Sequence, residues 1–470
     1  MERLPAADAW FLYLEGPTVP LHVTGVLMVE PSTAPGGFSF AKLRRYIQGR
    51  LDLMPMLRRR LVEVPLSIDH PYWIEDPDFD LDQHLFHHVL PGPGSDRALA
   101  DYLGELAAEP LDRSRPLWTL TLIEGMDDGT AAIVMKLHHC MIDGGAGMEV
   151  MADLLDLTPK PKRRTKPDAW EPEAQPPDAK MAATAAWNRI KDPLRPVRAA
   201  SGVSSSLFRM ATTAVGRRLG GADEAAHPVN APRTRFSGSL TANRSVAIGM
   251  KSLADFKTIG RAFDVTVNDV FLAACTHGLR AHLDTYDKVP DCPLVCSIPV
   301  STHGQSHREE STNQVSSMFV HLPVNVEDPM ERLRLIHAGS LAAKEIQSTV
   351  GADMIADIVE AIPIGMFRLG TRLYSEASLA DRLAPVHNLI VSNVVGSPIP
   401  LYMAGARVDA MYPFGPLMEG TGLNITVISH DGNMNIGVIA CPDLVPNVAE
   451  LLDAMLEGVD VLLETARSSA

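Results

Sequence analysis

Two adjacent histidines, His138 and His139, close an apolar stretch and are followed by Asp143 and Gly144 in "MKLHHCMIDGGAG" (Met135–Gly147). Three chemistries suit this grouping. A neutral imidazole titrates near pH 6.5 and can take a proton from a substrate as a general base. A histidine with Asp143 could contribute ligands to a metal ion, although no further histidine–carboxylate cluster stands close by in the chain. The third reading is a polar turn, with Asp143 capping the next helix and Gly144 giving room for close approach. No Gly-x-Ser-x-Gly elbow, phosphate-cradling Walker loop or dinucleotide fingerprint occurs. A base without a serine nucleophile points to activation of a substrate hydroxyl. A second pair, His87 and His88, lacks a following aspartate and reads as structural or surface.

Positioning the pair requires a strand that ends at it and a helix that leaves it. "TAAIVMKLHH" and "LWTLTLIEG" read as buried strands, and "GMEVMADLLDL" has helical spacing. "LHVTGVLMVE" is a third strand. "SFAKLRRYIQGRLDLMP" places Leu43, Ile47 and Leu51 four apart and reads as an amphipathic helix with Ser39 as N-cap, and "DRALADYLGELAAEPL" is another helix. Between Pro159 and Pro177 six prolines fall among charges, which predicts a linker over Thr158–Lys180. Beyond it, "RSVAIGM", "PLVCSIPVS", "SSMFVHLPV", "NLIVSNVVG" and "NMNIGVIA" are strand-like. "SLADFKTIGRAF", "VNDVFLAACTHGLRAHL" and "PMERLRLIHAGSLAAKEIQ" are helix-like. The class is therefore α/β, mixed α+β in detail, in two lobes. The divisions are residues 1–157, a linker and basic amphipathic segment over 158–235, and residues 236–470.

The chain of 470 residues is long enough for two cores, and its 46% apolar and 21% charged residues are those of a globular protein. A net charge of −15 argues against nucleic acid as a partner. Five scattered cysteines read as reduced thiols, and Cys292 with Cys296 lacks the second ligand pair of a zinc site. The acidic N-terminus is not a signal peptide, and no stretch is apolar for the roughly 20 residues that span a bilayer. These features predict a cytoplasmic protein that can lie on a membrane but does not cross it. Residues 181–220 carry Arg189, Lys191, Arg195, Arg198, Arg209, Arg217 and Arg218. Trp187, Ile190 and Leu194 recur at helical spacing there, and Pro193 and Pro196 divide the segment. It reads as two short amphipathic helices, suited to an anionic lipid surface.

"HHCMIDG" resembles the HHxxxDG signature of the CoA-dependent acyltransferase superfamily, which includes peptide-synthetase condensation domains. Its neighbours narrow the resemblance to the bacterial wax ester synthase/diacylglycerol acyltransferases, over nearly the whole chain. "DAWFLYLEGPTVPLHV" is similar to that family's opening, "PLDRSRPLW" carries its PLW block, and "VNDVFLAA" carries its ND block. "TNQVSSMFVHLP" and "GLNITVISHDG" sit where similar blocks lie. "VSNVVGSP" resembles its SNVPGP, with Val395 for the usual proline and Ser397 inserted.

The resemblance implies two lobes like those of chloramphenicol acetyltransferase, with the active site in a tunnel between them. It implies that His139 is the general base and that the acceptor oxygen attacks an acyl-CoA thioester without an acyl-enzyme. Asn268 is the candidate oxyanion donor, or else a helix cap. His138, Asp143, Gly144 and Asp269 are read as structural motif residues. Pro116, Leu117 and Trp118 are read as wall or packing residues, and Glu15 as facing the site or an exposed loop. Acyl-CoA is a co-substrate, so no cofactor or metal is expected. Diacylglycerol is the expected acceptor, giving triacylglycerol, and a fatty alcohol would give wax ester. Partners are then acyl-CoA, the long-chain alcohol, and a peripheral membrane or lipid-droplet surface. The alternatives are transfer to another alcohol, a lipid-binding homologue without turnover, and a condensation module using a carrier domain, of which the chain shows none.

Overall fold

The computed structural model describes residues 1–142, 150–160, 172–191, 231–301, 315–347, 359 and 361–468. Two mixed six-stranded sheets form two lobes. The first sheet contains β2 (His22–Glu30), β5 (Leu85–Gly94), β6 (Trp118–Met126), β7 (Ala131–His138), β12 (Leu401–Met403) and β13 (Ala406–Phe414), in the order β12-β13-β2-β7-β6-β5. The second contains β8 (Ser245–Ser252), β9 (Leu294–Ser301), β10 (Val315–Leu322), β11 (Leu389–Val394), β14 (Leu423–His430) and β15 (Asn433–Ala440), in the order β10-β9-β11-β14-β15-β8. A small sheet joins β1 (Glu2–Arg3), β4 (Tyr72–Glu75) and β3 (Arg59–Val62).

Strand β7 is buried along its whole length, which explains its nearly unbroken apolar sequence. Ile133, Met135 and Leu137 face the core of the first lobe. Ala132 and Val134 face the layer between the lobes, where helix α3 (Asp96–Ala108) also packs. The central strand thus holds its terminal histidines between two apolar layers.

The lobes meet where α3 crosses β8 and where β13 lies over β14 and β15. Both crossings depend on glycine. A Cβ on Gly104 would lie 2.6 Å from the Arg244 carbonyl oxygen, and one on Gly437 would lie 2.2 Å from that of Pro413. The second core packs α6 (Val267–Tyr286) and α9 (Val448–Ser468) on the sheet around Phe236, Phe256 and Phe271.

Two expectations change. Residues 236–470 do not form a self-contained lobe, because β12 and β13 complete the first sheet. The apolar alternation of Ala406–Phe414 serves the first lobe through antiparallel pairing with β2. The first of the two expected amphipathic helices, α4 (Asp178–Lys191), starts inside the predicted linker, directly after Pro177. Proline breaks a helix interior but suits its start, and the Pro177 carbonyl accepts from the amides of Lys180 and Met181. Met181 and Ala185 anchor α4 on the small sheet, while Trp187 and Ile190 are exposed. The second amphipathic helix, with Arg195, Arg198, Arg209, Arg217 and Arg218, lies outside the described residues, and so does the Arg189 side chain. Among the described residues, no helix is long and apolar enough to cross a membrane.

Candidate active site

The histidine pair sits where β7 ends, and both flanking strands clamp its backbone. The His138 amide donates to the Leu117 carbonyl (3.0 Å), and the His139 amide to the Leu21 carbonyl (2.9 Å). The two side chains then part.

His138 is fully buried. Its Nδ1 accepts from the Cys140 amide at 3.1 Å. A nitrogen that accepts a backbone N–H carries no proton, so the neutral ring carries its proton on Nε2. Nε2 points at Glu15, 3.4 Å from Oε1, an ion-pair distance beyond a well-formed hydrogen bond. Glu15 caps helix α1 (Ala6–Leu14) and is itself largely buried. Its Oε2 accepts from Arg113 Nε (2.8 Å) and from Arg113 Nη2. Oε1 accepts from the Leu21 amide (3.3 Å), and Arg113 also donates to the Leu12 carbonyl (3.0 Å). Burial alone would raise the Glu15 pKa. His138 and Arg113 outweigh it and hold the carboxyl down to about 2. The result is a charged, three-residue brace with Glu15 as anion.

His139 is only half-buried. Its ring stacks on Phe11 of α1, with centroids 3.9 Å apart and planes 12° apart. Stacking on an apolar face fixes the ring plane. Asp143 and Gly144 lie outside the described residues.

Pro116, Leu117 and Trp118 stand behind the pair as packing. Trp118 is fully buried, donates from Nε1 to the Leu57 carbonyl (2.7 Å) and stacks on His84. The beginning of β6 is therefore immobile where its Leu117 carbonyl holds His138.

The ND block opens α6 in the second lobe. Its cap is Thr266, paired with Asp269 in a reciprocal capping box: the Asp269 amide donates to Thr266 Oγ1 (3.2 Å), and the Thr266 amide to Asp269 Oδ2 (3.0 Å). Asp269 Oδ2 also meets His337 Nδ1 at 2.8 Å. Burial raises the Asp269 pKa, but these partners, His337 first, bring it below its ordinary value. Asp269 thus closes the capping box and holds His337. Asn268 is not a cap. Its Oδ1 accepts from Asn393 Nδ2 at 3.2 Å, which turns its own amide hydrogens elsewhere. Asn393 lies in β11, in the "VSNVVGSP" block, and the next residue, Val394, packs on the apolar cluster that contains Cys140, Met141 and Ile142. The second lobe therefore reaches the core of the first through the end of β11. Val395 is exposed and Ser397 closes a local turn onto Ile399, so the departure from the SNVPGP pattern alters a surface loop.

Sequence reasoning missed Arg113 and left Glu15 open. Both lie in the quoted family blocks, but they are 98 residues apart and nothing local marks them as a pair. Phe11 was likewise unremarked. His87 and His88 lie on edge strand β5, paired with Glu124 and stacked on Tyr102, away from any such brace.

With this geometry in view, the relatives are informative. The profile of the wax ester synthase/diacylglycerol acyltransferase catalytic domain matches residues 4–271, and that of the family's C-terminal domain matches residues 311–462. A putative diacylglycerol O-acyltransferase of Mycobacterium tuberculosis is 36% identical over 99% of this chain and 90% of its own length. The structure of a wax ester synthase/diacylglycerol acyltransferase from Marinobacter aquaeolei VT8 superposes with a TM-score of 0.69 at 25% identity, covering 99% of this chain and 100% of the other. A trichothecene 15-O-acetyltransferase from Fusarium sporotrichioides shares the fold, with a TM-score of 0.58 at 14% identity over 98% of this chain and 94% of its own. The chain belongs to the wax ester synthase/diacylglycerol acyltransferase family.

Proposed function

We propose that this protein transfers a long-chain acyl group from acyl-CoA to the hydroxyl of diacylglycerol, forming triacylglycerol, and that a fatty alcohol can serve as acceptor to give a wax ester. His139 takes the acceptor proton. The alcohol oxygen attacks the thioester carbonyl, and a tetrahedral oxyanion forms. The Asn268 amide donates to that oxyanion. The intermediate collapses, the C–S bond breaks, and the CoA thiolate leaves with the proton that His139 had taken. No covalent enzyme intermediate is needed. The observation that carries this assignment is the unequal state of the two histidines. His138 is fully buried, with one nitrogen engaged by Cys140 and the other turned to Glu15, whereas the His139 ring is half-buried against Phe11.

The proposal includes no cofactor and no metal: acyl-CoA is consumed as co-substrate. It also includes peripheral association with a membrane or lipid droplet, because the acceptor is insoluble in water. Purified protein incubated with labelled acyl-CoA and a panel of alcohols, followed by lipid chromatography, tests the reading. Labelled triacylglycerol or wax ester is expected. Free fatty acid alone, whatever the alcohol, would overturn it. Activity that disappears with a chelator and returns with zinc would refute the metal-free mechanism.

A further inference from the structure

Two helices with exposed apolar side chains border one short stretch of chain, residues 62–68, which exposes an apolar side chain of its own. Helix α4 is anchored on it through Val62 against Met181 and Val64 against Ala185. Its opposite side presents Trp187 (57% exposed) and Ile190 (68%). Helix α8 (Ile364–Glu376) is tied to the same stretch by Arg368, which donates to Glu63 Oε1 at 2.9 Å. No residue of α8 is fully buried. Its inner side is Phe367 against Trp10 of α1, and its outer side is a stripe of Met366 (66%), Leu369 (56%) and Leu373 (52%). Within the stretch itself stands Leu66, 94% exposed, with a φ of +59°. A leucine held in the left-handed region and projected into water is disfavoured twice, by backbone strain and by solvation. Single exposed leucines need no explanation, but apolar groups gathered on adjoining elements mark an interaction surface.

We infer that these elements form the docking surface for a phospholipid layer; the inference rests on the lipid-acceptor function proposed above and names the face that meets the lipid. The chemistry of the rim selects this occupant. Lys180 and Lys191 bracket the outer side of α4 at helical spacing, and the Lys191 ammonium lies 5.6 Å from the Trp187 ring centroid. Arg372 stands exposed beside Leu373, ion-paired with Glu376 at 2.7 Å. Aromatic and aliphatic groups with cations beside them match an acyl boundary under phosphate headgroups. The placement also serves the site. The inner side of α8 packs on α1, and α1 carries Phe11 against His139. The exposed stripe is therefore one helix away from the element that supports the candidate base. Attachment of this kind is chiefly apolar and persists in high salt.

The test is flotation of the full chain with vesicles of equimolar phosphatidylcholine and phosphatidylglycerol. Met366→Ser/Leu369→Ser/Leu373→Ser, Trp187→Ser/Ile190→Ser and Leu66→Ser are compared with the unaltered protein. Each multiple variant should lower vesicle affinity about tenfold or more, and Leu66→Ser by a smaller factor. Melting temperatures should hold, since these side chains are exposed. Transfer to a short, water-soluble alcohol should be unchanged, while transfer to vesicle-held diacylglycerol falls with binding. Flotation of the α8 variant like the unaltered protein would overturn the inference. So would an unaltered protein that does not float, or a dimer that the α8 substitutions split without affecting flotation. Flotation is read without turnover. Normal flotation with no transfer to any alcohol would therefore refute the proposed function and leave the docking surface standing.

Discussion

The chain places a histidine dipeptide at two points of the same sheet. His87–His88 lies within an edge strand, with His87 against Glu124 (2.5 Å) and His88 stacked on Tyr102. His138–His139 ends a strand buried on both faces, where the chain is about to turn. On an edge strand, adjacent side chains alternate between faces and each finds its own surface partner. At the end of β7 the alternation stops, and backbone bonds to Leu117 and Leu21 force the two rings into different surroundings. One becomes a buried, tautomer-fixed support; the other becomes a half-exposed ring on Phe11. The dipeptide itself therefore carries little information. What distinguishes the pairs is the brace of Glu15 and Arg113 and the position at a strand end.

This contrast can be broken by substitution. His139→Ala should lower acyl transfer by about 10²–10⁴-fold, the usual worth of a positioned general base, while the melting temperature stays near that of the parent. Turnover within a few-fold of the parent would return the pair to a structural role. Asn268→Ala should cost about 10²-fold in turnover, the size of one lost oxyanion donor, with little effect on stability because Thr266 remains as the cap. An unchanged turnover number would remove Asn268 from the mechanism.

Glu15→Gln keeps the shape of the brace and removes its charge. Turnover should fall by roughly tenfold, as for one weakened charge-assisted contact. The acid side of the stability curve should also change. The folded Glu15 carboxyl is depressed from 4.5 to about 2, so its contribution is present above pH 4.5 and is lost as pH falls from 4.5 toward 2. Urea melts over that window should show the parent losing stability more steeply than the variant. Parallel curves would mean that the brace does not hold Glu15 as an anion. The smallest effect belongs to the other pair: His87→Ala and His88→Ala should each leave transfer within about twofold, as for surface substitutions remote from a site. A large loss there would erase the contrast between the two regions.

Much of the scaffold was legible because its signals are local. Ser39 announces α2 (Phe40–Gln48), and its Oγ accepts from the Lys42 amide at 3.3 Å. The apolar run of Ala131–Leu137, broken only by Lys136, announces a strand buried on both faces. What stayed hidden depends on distant partners. A glutamate after an apolar helix reads equally as solvent-exposed, and only the fold brings Arg113 to it. The return of Ala406–Phe414 to the first sheet is a matter of topology, since its alternation fits either lobe. The body of helix α4 was legible from the spacing of Trp187 and Ile190, but its first turn falls within the stretch read as a linker, because proline interrupts a helix in its interior and yet suits its start.

The division of labour between His138 and His139 is most directly read by nitrogen NMR of protein labelled in its histidine rings, with the two residues assigned from single substitutions to asparagine. At neutral pH His138 should show a bare Nδ1 and a protonated Nε2, as its bond from the Cys140 amide requires. A protonated Nδ1 on His138 would contradict the fixed tautomer and with it the reason for placing the base at His139.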